Sequence, residues 1–189
     1  MRCLRMRMWQ IALVAISSGC VSNQANVARV EDDGRLATAE AFVDAFYSFD
    51  RPRLEAAMAN ARGSMGDTLY YQQWAAAGHY AVLDRKPCRF EKRDEVVCPV
   101  TVRDDLIPAL GLGMHVTDQF HFAFKAGRIV KVWNSSDDPP EFHQAMEWLR
   151  RERPSIFSGP CRGIWEGGPT PRECVRAVID GFRDFTARR

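Results

Sequence analysis

The sequence predicts an α+β protein in which N-terminal helices pack on an antiparallel sheet and a helical tail follows. Three observations predict it. Apolar residues recur at helical spacing from Thr38 to Gly78, the pattern switches to period two between residues 79 and 134, and helical spacing returns from Pro139 onward. Once residues 1–19 are set aside, the remaining length suits one domain with its own hydrophobic core.

Residues 1–19 read as an export signal. Arg2, Arg5 and Arg7 precede the apolar run Ile11–Ile16, and Ser17-Ser18-Gly19-Cys20 follows. That run is far below the ~18 apolar residues needed to span a bilayer. The site also resembles the lipobox of bacterial lipoproteins, with Gly19 before an acylated Cys20, although Ser17 stands where Leu, Val or Ile is usual. The same residues satisfy ordinary signal-peptidase cleavage, in which case the protein is secreted or periplasmic. On the lipoprotein reading it is held on the periplasmic side of the cell envelope, at the outer membrane. Cleavage removes three arginines and no acids, so the formal charge goes from +2 to 2 − 3 = −1. A retained basic face is then missing, which argues against a nucleic-acid partner.

The elements follow in order. Residues 20–36 are polar and aperiodic and read as a tether ahead of a single domain at 37–189. Thr38 caps a helix with Phe42, Val43, Phe46 and Tyr47 on its apolar face. Asp50 and Pro52 open a second helix burying Leu54 and Met58. Gly63 and Gly66 break the chain, and Asp67 caps a third helix through Trp74. Strands are expected at 79–84, 87–92, 95–103, 115–125 and 128–134, the first two as one bent strand around Pro87, with turns at Lys92–Asp94 and Lys125–Gly127. Residues 106–113 are too rich in Gly and Pro for a strand and read as a helical turn. Pro139-Pro140 starts a helix that Pro154 stops, and Thr170-Pro171-Arg172-Glu173 starts the last one.

Helices followed by a meander of long strands resemble the nuclear transport factor 2-like (SnoaL-like) superfamily. Ala41–Leu54 is similar to that family's opening helix, break and second helix, and Asp118–Trp133 to its last aromatic hairpin. The resemblance spans residues 38–135 and implies a cone-like fold with a pocket between concave sheet and helices. Residues 136–189 are a helical extension beyond it, and no early strand stands between the second and third helices.

Four cysteines remain after Cys3 and Cys20. Cys88 and Cys98 are equidistant from a turn centred on Arg93, so they can face each other across a hairpin. Cys161 and Cys174 flank a Gly/Pro-rich loop. Two disulfides are expected, and no metal site: there is no CxxC, and His115 and His121 share a strand face about 20 Å apart with Asp118 pointing the other way.

Asp118 shares a face with Phe120, Phe122 and Phe124, which makes it the one carboxylate of a phenylalanine ladder and the candidate acid/base. Tyr47, Tyr70, Trp74, Phe122 and Trp133 are candidate pocket residues, and Trp165 in the loop 163–169 is a candidate partner contact. No nucleophile elbow, phosphate loop or HExxH is present, and no cofactor is implied. The expected function is therefore that of an envelope binding or accessory protein engaging a small hydrophobic ligand or a protein partner. The alternative is a small isomerase, dehydratase or hydrolase of the SnoaL-like kind working through Asp118 and a tyrosine.

Overall fold

The computed structural model describes residues 21–163 and 172–188. The expected signal segment with Cys20, Trp165 and the expected Thr170-Pro171 cap lie outside the described residues. Within them the chain is α+β: helices on one face of a curved antiparallel sheet, with a C-terminal helical extension.

Helix α1 spans Val21–Tyr47, starting seventeen residues before the expected cap. Thr38 is interior to it, its hydroxyl donating to Gly34 O at 2.8 Å. The polar half has no apolar stripe to announce it. Arg35 ties it to the sheet: it donates to Arg93 O and Asp94 Oδ1 at the β2–β3 turn, pairs with Asp32 and lies over the Phe90 ring. After α1, Phe49 takes a left-handed backbone (φ 55°), and Asp50 caps α2 (Arg51–Ala57) by accepting from Arg53 N.

Helix α3 runs Arg62–Ala77, so Gly63 and Gly66 lie inside a helix that was expected to start at Asp67. Tertiary contact outweighs the glycines' weak helix propensity. Ser64 is buried, and its hydroxyl accepts the Val132 backbone N–H of the last strand at 3.0 Å, docking the first turn of α3 on the sheet edge. The helix ends in a Schellman turn, with Tyr80 N donating to Ala75 O, and His79 occupies the left-handed position (φ 53°) where glycine is usual.

The strands are β1 (Ala81–Arg85), β2 (Arg89–Lys92), β3 (Glu95–Arg103), β4 (Val116–Lys125) and β5 (Arg128–Ser136). Both β1 and β2 pair with the same side of β3, as a strand bent around Pro87 would, and β4 and β5 follow. The short helix α4 (Leu106–Ala109) is the expected turn in the Gly/Pro-rich stretch. Burial on β4 alternates strictly, with Val116, Asp118, Phe120, Phe122 and Phe124 inside. Phe42 and Phe46 of α1 fill the concave face against them, Phe46 4.7 Å from Phe120 and Phe42 4.9 Å from Phe122 between ring centroids.

Helices α5 (Pro140–Glu152), α6 (Pro154–Ser158) and α7 (Arg172–Thr186) close the far end. Leu149 and Phe182 are fully buried where α5 meets α7. Both disulfides join the expected cysteines, Cys88–Cys98 across the β2–β3 hairpin and Cys161–Cys174 onto α7. No helix among the described residues is long and apolar enough to cross a membrane.

Candidate functional site

Strand parity turns Asp118 inward, and the structure leaves it 1 % exposed, opposite Val100 on β3 and Ser136 on β5. Two tyrosines reach it from different helices. Tyr47, in the last turn of α1, donates its hydroxyl to Oδ2 at 2.7 Å, and Tyr71 of α3 donates to Oδ1 at 2.6 Å. Burial pushes the Asp118 carboxyl up to about 6, against the pull of the Tyr71 and then the Tyr47 hydrogen bond; Asp138 and Asp104 add repulsion. Burial raises both phenols too, Asp118 adding to the effect, so each remains a proton donor at physiological pH.

Beside this group opens a cavity of about 370 Å³. Tyr70, Tyr71 and Trp74 of α3 form one wall, with Tyr80 beyond the helix end. Asn134, Ser135 and Ser136 at the end of β5 form another, and Asp138, Phe142 and His143 at the start of α5 complete it, with Asp67 at the rim. Trp74 hydrogen-bonds the Tyr80 hydroxyl, and burial raises the phenol of Tyr80 and the carboxyl of Asp138. Asp118 is not part of the wall; Tyr71 both lines the cavity and hydrogen-bonds Asp118.

Of the residues singled out from sequence, Tyr70 and Trp74 line the cavity, and Tyr47 lies behind it on Asp118. Phe122 is fully buried against Phe42, within the core. Trp133 is on the opposite sheet face, stacked on His121 at 5.2 Å with Lys131 over its ring. Trp165 is outside the described residues. Sequence reasoning missed Tyr80, Asp138, Phe142 and His143 as wall residues. Tyr80 and Asp138 stand at element junctions, where periodicity says nothing of direction; Asp138 carried only the signal of a helix start.

Two further polar groups come together outside the cavity walls. His79 Nδ1 is 2.6 Å from Asp105 Oδ2, while Asp104 Oδ1 accepts from Leu106 N and Ile107 N; adjacent acids thus take separate partners. On the convex sheet face His121 Nδ1 faces Glu91 and Glu95 at 3.5 and 3.7 Å, a grouping made by cross-strand pairing rather than by the His115/Asp118/His121 spacing.

The fold and site define a small α+β domain with an aromatic, acid-lined cavity at the end of its sheet. No protein-family model, curated protein or solved structure matches this chain.

Proposed function

We propose that the protein is an exported, lipid-anchored binding protein of the bacterial envelope, built on a nuclear transport factor 2-like domain, that holds a small ligand in the cavity bounded by Tyr70, Trp74 and Phe142. The observation that carries this reading is the division of labour around Asp118. The cavity is open and lined by side chains, while Asp118 is withdrawn behind Tyr71 with both oxygens already accepting hydroxyls. An acid/base residue must come within hydrogen-bond reach of the proton it moves. Here Phe120, Phe42 and Phe46 fill the space a substrate would need on the other side of Asp118. Asp118 and its tyrosines therefore serve as a rigid floor that orients Tyr71, and binding is favoured over acid/base chemistry at Asp118. Two disulfides and the Arg-rich, Cys-terminated leader support the envelope setting.

The test has two arms. Labelled palmitate should enter the wild type and not Cys20→Ser; label in neither removes the lipid anchor. Organic extraction of protein purified from its own host envelope should release a small molecule from the wild type. Ser136→Trp, which fills the cavity from an exposed wall position, should release none.

A further inference from the structure

We propose that the ligand is an organic cation, an ammonium group carrying a compact apolar body; this rests on the cavity being the ligand site. Its walls combine aromatic rings, from Tyr70, Tyr71, Trp74, Tyr80 and Phe142, with the carboxylates of Asp67 and Asp138. Among the described residues no Lys or Arg lines it, and His143 is the one wall residue able to carry positive charge. Behind the wall stand Asp118 and Asp104, whose charges reach the cavity group: each adds to the rise of the Tyr80 phenol. An anion would meet this field with His143 alone among the described wall residues to offset it. A neutral hydrophobic ligand would use the rings alone and draw nothing from exposed Asp67 or from Asp138, whose present partners are the Ser136 hydroxyl and His143.

A metal ion is the other way to satisfy such charge, and the geometry disfavours it. Among the described residues one set of three His, Cys, Asp or Glu side chains converges closely enough to share an ion, and that set is Glu91, Glu95 and His121 on the convex face. The cavity's acids are instead spread around an aromatic-lined space. Small ions need ligand atoms gathered within bonding distance. A bulky, weakly hydrated ammonium is held by ring faces at a few ångströms with carboxylates at longer range, which is what these walls offer.

Three probes of one shape and different charge test this on the full chain in non-ionic detergent: choline, 3,3-dimethylbutan-1-ol and 3,3-dimethylbutyrate. Binding is read from the indole N–H resonance of Trp74, assigned with Trp74→Phe. Choline should bind at least tenfold tighter than the alcohol, and the carboxylate weakest. Asp67→Asn with Asp138→Asn should weaken choline at least fivefold and leave the alcohol unchanged. If the alcohol or the carboxylate binds as well as choline, the cation assignment is overturned while the cavity stands as a ligand site. If none of the three shifts Trp74 at tens of millimolar, both the assignment and the binding reading fall.

Discussion

Replacing Asp118 by Asn should change how stability depends on pH, and the structure sets both sign and size. In the folded chain the carboxyl titrates at about 6, against an ordinary value of 3.8. Below 3.8 both states are protonated and Asp118 contributes nothing. Between 3.8 and about 6 the unfolded chain has released a proton that the folded chain still holds, so unfolding free energy falls as pH rises. Above 6 the loss is complete. A shift of roughly two units at ~1.4 kcal/mol each amounts to about 3 kcal/mol. Asn does not titrate, and its shape lets it keep a hydroxyl partner. Urea unfolding of wild type and Asp118→Asn from pH 3.5 to 7.5 measures the difference. The variant should gain about 3 kcal/mol relative to wild type across that range. Asp104 and Asp138, raised for the same reason of burial, are present in both chains and cancel to first order. A difference that stays flat with pH, or slopes the other way, would refute a buried, cation-free Asp118.

Ser64→Ala would strand the Val132 N–H at the edge of the sheet and should cost about 1–3 kcal/mol, with faster hydrogen exchange at Val132 as the local readout. Gly181→Ala would drive a Cβ into Leu149 Cδ2, in a side chain with no exposed surface to move into; a loss of about 1–3 kcal/mol is expected in thermal unfolding, and a neutral result would mean that α5 and α7 pack more loosely than described. His79→Gly relieves a left-handed backbone at a Schellman position and should stabilise by about 0.5–1 kcal/mol in urea unfolding, the exposed Asp105 contact contributing little; a less stable variant would refute this. Removing Cys88–Cys98 as a double serine variant should cost about 2–4 kcal/mol, read as a lower urea midpoint.

Much of the fold was legible because its signals are local. The alternation of β4, the Gly127 turn, the Asp50 cap and the spacing of Cys88 and Cys98 each specify a neighbour within about ten residues. The misreadings share one cause. The first half of α1 and the first turn of α3 are helical because Arg35 and Ser64 reach residues 58 and 68 positions away, contacts that leave no periodic trace. The site divides in the same way. Strand parity put Asp118 on the ladder face, and it did not reveal that Tyr47 and Tyr71 arrive there from separate helices. The cavity walls drew on residues at the junctions of α3 with β1 and of β5 with α5, where chain direction is decided by tertiary packing. Trp133, with the same composition appeal as Trp74, faces the other way by one step of register.

Occupation of the cavity beside Tyr71 by a small molecule in the cell can be measured. The most direct measurement adds a small-molecule extract of the host envelope to the full chain and follows the Trp74 indole N–H. A saturable shift is expected in the wild type and none in Ser136→Trp. An unmoved resonance in the wild type, or an equal shift in both proteins, would contradict it.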